Sequence, residues 1–130
     1  MPSRKLDDLD PIFRPRAFEF LARLTEATIP VLIINTGRTA AEQAEYLRTG
    51  ASWVQRSKHQ DGLAIDICPW EIFQLRGPDK LEWDADDPIW TKIGAIGEKL
   101  GLVWGGRWKK RDMGHFEMPA APAKKPAATT

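Results

Sequence analysis

Apolar residues recur along the chain at helical spacing in some stretches and in short alternating runs in others. Between Pro15 and Ala27, the residues Ala17, Phe20, Leu21, Leu24 and Ala27 fall on one helical face, with Pro15 near the first turn where a missing N–H is harmless. Pro30 stops that helix, and Val31-Leu32-Ile33-Ile34 reads as a short buried strand ending in the turn Asn35-Thr36-Gly37. Thr39 followed by Glu42 has the form of a capping box and opens a second helix that Gly50 ends. Leu63 to Cys68 alternates as a strand does: Leu63, Ile65 and Ile67 share one face, and Ala64, Asp66 and Cys68 share the other. Asp87-Pro88 starts a third helix with the stripe Ile89, Ile93, Ile96 and Leu100, stopped by Gly101. Leu102-Val103-Trp104 and Gly114 to Met118, separated by a Gly105-Gly106 turn, predict two closing strands. Residues 69–85 hold Trp70, Phe73 and Trp83 among Gly77, Pro78 and several charges, and are expected to form a long loop with one helical turn.

Helices and short strands follow one another without a regular βαβ rhythm, which predicts an α+β fold: a single compact domain with a small antiparallel sheet and flanking helices. A chain of 130 residues supports one core. No internal repeat is visible. The domain is expected to span residues 1–118, and the tail PAAPAKKPAATT at 119–130, which lacks large apolar residues, is expected to be disordered.

Composition narrows the function by exclusion. With 19 basic and 18 acidic residues the net charge is +1, too balanced for a protein that binds nucleic acid mainly through phosphates. The single cysteine, Cys68, forms no internal disulfide and leaves no cysteine-rich metal site. No apolar run approaches the roughly 18 residues of a membrane span, so membrane insertion is not expected. The opening MPSRKLDDLD has no apolar stretch after its basic residues and does not read as a secretory signal, so synthesis in the cytoplasm is expected. A monomer is the default.

The chemistry gathers around the chain's two histidines. His59 precedes Asp66 by seven residues, and His115 lies between Asp112 and Glu117. Asp66 interrupts an apolar strand, where an unpaired carboxylate is costly to bury. Two imidazoles and a carboxylate make a common catalytic zinc set, with a neighbouring carboxylate such as Asp112 as general base. The spacing equally allows Asp66 to face solvent or cap a turn, with both histidines as polar surface residues.

The string Ser57-x-His59-x-x-Gly62-x-Ala64-x-Asp66 resembles the first signature of the zinc D-alanyl-D-alanine carboxypeptidase and L-alanyl-D-glutamate endopeptidase family, whose fold is similar to the zinc domain of hedgehog proteins. Asp112-Met113-Gly114-His115-Phe116-Glu117 resembles the second signature, D-x-x-H-F-E. Asn35-Thr36-Gly37-Arg38 with Gln43 is similar to the S-G-x-R-S…Q region, and Trp104-Gly105-Gly106 matches a W-G-G turn. The resemblance covers about residues 28–118. It implies His59, Asp66 and His115 as zinc ligands, Asp112 as general base, and Arg38 as a group that binds substrate or its developing oxyanion. Gln43 and Ser57 are expected at the substrate. The implied substrate is the peptidoglycan stem peptide. A single catalytic domain without a signal looks like a phage endolysin, which favours cleavage between L-alanine and D-glutamate after holin-type release to the wall. The rivals are a D,D- or L,D-carboxypeptidase with the same metal site, and a non-catalytic wall-binding or virion module.

The chain departs from the family pattern at Asn35 (usually serine), at Arg107 (usually an acid) and at Gly114 (frequently proline), and no aromatic precedes Arg38. Gly114 is expected to loosen the approach to His115, and Arg107 to alter substrate preference. Glu117 reads as a surface carboxylate, with support of a histidine as the other option. Cys68 reads as a small buried hydrophobe, and residues 107–111 as a solvated basic hairpin.

Overall fold

The structure, a computed structural model, describes residues 3–50, 57–70 and 81–120. The expectations for the tail beyond residue 120 and for most of the loop at 69–85 fall outside these residues. The helices are α1 (Arg14–Glu26), α2 (Ala40–Thr49) and α3 (Ile89–Lys99), and the strands are β1 (Val31–Asn35), β2 (Ala64–Pro69), β3 (Val103–Trp104) and β4 (His115–Glu117). Short 3₁₀ turns occur at Leu6–Asp8 and Gly105–Arg107. The strands form one sheet of order β1-β2-β4-β3, with each neighbouring pair antiparallel. The expected α+β class and small antiparallel sheet are what the chain forms.

Local chemistry sets several boundaries. Thr39 Oγ1 accepts from the Glu42 N–H at 3.1 Å while Glu42 Oε1 accepts from the Thr39 N–H at 2.8 Å, so the predicted capping box opens α2. Gly50, at φ 80°, ends the helix in the left-handed region that favours glycine. On α1, Ala17, Phe20 and Leu24 are buried as the stripe predicts, but Ala27 is exposed at the helix end.

Two expectations need correction. β1 is an edge strand rather than a buried one, and Leu32 is 42% exposed. On α3 the buried face is Trp90, Ile93, Gly94 and Gly97, while Ile89 and Ile96 are only partly covered. An apolar-stripe argument gives glycine no weight. Here Gly94 lies under the Trp104 ring and Gly97 under the rings of Phe116 and Phe20, so the missing side chains let aromatic rings pack on the helix backbone.

The two faces of the sheet have different tasks. Ile65 and Ile67 of β2 and Phe116 of β4 join the core with Phe20 of α1 and Ile93 of α3, and the Phe20 and Phe116 rings are 4.5 Å apart. The register sets Ala64 opposite Glu117, Ile65 opposite Phe116 and Asp66 opposite His115. Alternation therefore places Asp66, His115 and Glu117 together on the face away from that core.

Gly114 draws β4 in rather than loosening it. Its carbonyl accepts from the Ile67 N–H at 2.9 Å, and a Cβ at this position would collide with the Ile67 carbonyl oxygen. Gly114→Ala is expected to cost about 1–3 kcal/mol by overpacking. Thermal unfolding followed by circular dichroism should show a melting temperature lower by roughly 4 °C per kcal/mol at this chain length. An unchanged melting temperature would mean that the backbone yields there without cost.

Candidate active site

Asp66 lies at the centre of the site, on β2. Its Oδ1 is 2.9 Å from His115 Nδ1 and its Oδ2 is 3.1 Å from His59 Nε2. One ligand atom from each of the three residues lies within 4.8 Å of the others, and they form the group suited to a metal ion among the described residues. The imidazole rings meet edge to face with centroids 5.1 Å apart.

Each histidine is held from behind. His59, 2% exposed, donates from Nδ1 to the Thr36 carbonyl at 3.0 Å. Its backbone N–H donates to Ser57 Oγ at 3.1 Å, and its carbonyl accepts from the Arg38 N–H at 3.1 Å. His115 sends Nε2 to Glu117 Oε1 at 2.7 Å. The ring nitrogens that remain, His59 Nε2 and His115 Nδ1, both point to Asp66. His59 Nε2 is buried and close to the carboxylate, yet it lacks a hydrogen bond of good geometry. Two imidazoles whose outer nitrogens are fixed by oxygen acceptors, facing a carboxylate across an unsatisfied nitrogen, are the donor set of a divalent metal site, and the residues fit that role.

Charge follows from these contacts in the metal-free protein. Burial opposes ionisation of Asp66, but the hydrogen bond from His115 and the two imidazoles beside it hold it well below the usual carboxylate range. Burial likewise opposes protonation of His115, but its bonds to Asp66 and Glu117 outweigh this and push it up to about 10. Because the His115 pKa is raised on folding, the stability it contributes is complete below its unfolded pKa of about 6.5 and is lost as pH rises toward 10. Asp66 has the opposite sign: its contribution is present above about pH 3.9 and is lost as pH falls through its depressed value. The chelator-treated protein is therefore expected to lose melting temperature progressively above about pH 6.5. A melting temperature that stayed flat from there to pH 10 would contradict the pairing.

Asp112 stands at the rim. Its Oδ2 is 4.0 Å from His115 Nδ1 and its side chain is 45% exposed. Its backbone N–H donates to Gly105 at 3.0 Å and its carbonyl accepts from the His115 N–H at 3.2 Å, which ties it to both the Gly-Gly turn and β4. Burial and the charge of Asp66 raise its carboxyl, against His115, His59 and Arg38. Arg38 lies where the charges of Asp66 and Asp112 reach it, although burial lowers its guanidinium from the usual value. Its Nη1 donates to Gln43 Oε1 at 2.6 Å, the guanidinium lies 4.3 Å from the centre of the Tyr46 ring, and its buried Nε has no hydrogen-bond partner among the described residues.

The structure thus gathers the sequence-predicted residues, with some in supporting positions. Gln43 is 1% exposed and its contact is with Arg38, while Ser57 is 6% exposed and its hydroxyl serves the His59 backbone. Glu117 is not a free surface carboxylate: it is 15% exposed and holds both His115 and Lys58. Its two-residue offset from His115 was the available signal, since it puts both on one strand face. Tyr46 and Trp108, whose ring centre is 5.0 Å from that of His115, carried no such signal. Arg107 pairs with Glu98 of α3 at 2.9 Å and lies over Trp104, so its charge is committed to the helix. Cys68 is buried, as expected for a small hydrophobe.

Comparison with known proteins agrees with this geometry. Residues 50–118 match the family described as D-alanyl-D-alanine carboxypeptidase. The chain is 30% identical over 129 residues to the peptidoglycan L-alanyl-D-glutamate endopeptidase CwlK of Bacillus subtilis, covering 85% of this chain and 74% of that protein. It is 36% identical over 81 residues to the L-alanyl-D-glutamate peptidase of Listeria phage A118, covering 62% of this chain and 27% of the phage protein. The L-Ala D-Glu endopeptidase ChiX of Serratia marcescens shares the fold, with a TM-score of 0.67 and 24% identity over 92% of this chain and 89% of that one. The paired histidine signatures, the cluster suited to a metal ion that they form, and these matches lead to one conclusion: the chain belongs to the D-alanyl-D-alanine carboxypeptidase family of metallopeptidases.

Proposed function

We propose that this chain is a zinc-dependent peptidoglycan endopeptidase that hydrolyses the L-alanyl-D-glutamate bond of stem peptides. The observation that carries the chemistry is Asp66 set between two histidines whose outer nitrogens are already tied to Thr36 and Glu117. The choice of bond is supported by the two curated relatives, both of which are L-alanyl-D-glutamate peptidases by name.

His59, Asp66 and His115 would hold the zinc. When bound, it supplies Lewis-acid polarisation of a peptide carbonyl and acidifies water at the site. Asp112 accepts the proton of the attacking water at its carboxylate and passes it to the leaving amine. Its raised pKa makes the carboxylate a stronger base toward the attacking water. Arg38 is braced by Gln43 and Tyr46, and its guanidinium places a positive charge near the carboxylates of the site, where an oxyanion would develop at the scissile carbonyl.

The test is mass spectrometry of purified peptidoglycan digested by zinc-loaded protein, with a chelated control. Chelator-sensitive release of peptides that begin at D-glutamate is expected. Loss of only a terminal D-alanine would convert the reading to carboxypeptidase, the activity for which the family is named. Absence of cleavage with zinc bound, across walls of differing chemistry, would leave a wall-binding module.

A further inference from the structure

We propose that Lys58 is a positioning residue of the metal centre, its ammonium pinning Glu117 so that Glu117 in turn fixes the ring of His115 as a ligand. This rests on the metal-centre part of the proposed function and is independent of which bond is cleaved.

The contacts form a continuous line. Lys58 Nζ lies 3.3 Å from Glu117 Oε2, Glu117 Oε1 lies 2.7 Å from His115 Nε2, and His115 Nδ1 lies 2.9 Å from Asp66 Oδ1. The Lys58 and Glu117 side chains are 28% and 15% exposed, so water and salt screen the pair less than an open surface pair. A carboxylate that holds a histidine through one oxygen still pivots about its own side-chain bonds. A cation on the second oxygen removes that freedom, and with it the freedom of the imidazole to turn its Nδ1 away from Asp66. Outer partners of this kind orient metal-binding histidines and raise their affinity for the ion.

The position of Lys58 adds a second constraint. It belongs to the turn that carries His59, where its carbonyl accepts from the Asp61 and Leu63 N–H groups at 3.1 and 2.9 Å. Its ammonium also donates to the Met118 carbonyl, and the Met118 N–H donates to the Leu63 carbonyl at 2.9 Å. The residue next to one histidine ligand thus reaches across to the strand that presents the other. The spacing between the two imidazoles is fixed before any metal arrives.

A lysine that merely anchored the chain end through Met118 would stabilise the fold without acting through Glu117, and a double-mutant cycle separates the two roles. The readout is the Zn²⁺ dissociation constant, measured on the whole chain by competition with a chromophoric chelator. Glu117→Gln is expected to weaken Zn²⁺ binding about 10–100-fold, and Lys58→Met about 10-fold. The double variant is expected to bind no more weakly than Glu117→Gln alone, and Lys58→Arg to recover most of the loss. Wild-type affinity in Lys58→Met, or the same loss repeated in the Glu117→Gln background, would overturn the inference. Should Lys58→Met fail to fold, Lys58→Gln keeps a donor for Met118 without the charge and carries the same comparison. A wild-type chain that takes up no Zn²⁺ would overturn the metal centre itself, whereas wild-type binding without coupling would overturn only the role of Lys58.

Discussion

Asp112→Asn is expected to retain zinc at wild-type affinity and to lose hydrolysis by about 10²–10⁴ in kcat, the usual contribution of a positioned general base. The substitution keeps the shape of the side chain and removes only its ability to take a proton. The backbone bonds from Asp112 to Gly105 and from His115 to Asp112 do not involve the carboxylate, so the ligand geometry should survive. Zinc stoichiometry and steady-state kinetics on isolated stem peptides check both halves. A variant that kept its kcat would remove Asp112 from proton transfer, and one that lost zinc would make it a ligand. Its Oδ2, 4.0 Å from His115 Nδ1, is placed beside the ligand cluster rather than within it.

Asp66→Asn is expected to remove metal binding and activity together. It takes away the only anionic donor of the cluster and leaves two imidazoles, so the loss should exceed the roughly 10–100-fold that an outer partner costs. The substitution has a second consequence, visible without any metal. Asp66 is the leading partner that raises His115, so the imidazole pKa should fall from about 10 toward its ordinary range, and the alkaline loss of stability should shrink with it. NMR titration of the His115 ring reads this directly. An unshifted His115 would mean that Glu117 alone holds its proton.

Much of the site was legible because its residues come in short local signatures. The alternation from Leu63 to Cys68 placed Asp66 on the face opposite Ile65 and Ile67, and the structure puts it there. The Thr39 and Glu42 cap was equally plain, since both of its hydrogen bonds lie within one helical turn. The less legible features depend on partners distant in sequence. β1 reads as a buried strand by composition, and only its place at the sheet edge exposes Leu32. The inner face of α3 departs from the apolar stripe because the rings of Trp104 and Phe116 pack on Gly94 and Gly97, which no helical period reveals. Glu117 lies next to the second signature, yet its importance depends on Lys58, 59 positions earlier in the chain.

The segment before α1 extends this lesson to the limits of the working unit. The Ser3 N–H donates to the Gly37 carbonyl at 3.0 Å, the Thr36 N–H donates to the Ser3 carbonyl at 2.7 Å, and the Asp10 N–H donates to the Gly62 carbonyl at 3.0 Å. Thr36 Oγ1 also donates to the Lys5 carbonyl at 2.8 Å. The same Thr36 that orients His59 is therefore stitched to the first few residues, and the turn behind His59 is stitched to Asp10. The portion that matches the family, residues 50–118, holds all three residues of the cluster suited to a metal but neither Arg38 nor this strap. A fragment cut to those limits would keep every residue needed to name the chemistry and lose the scaffold that aims it. In designing fusions or truncations, residues 3–10 should be kept as part of the scaffold that aims His59.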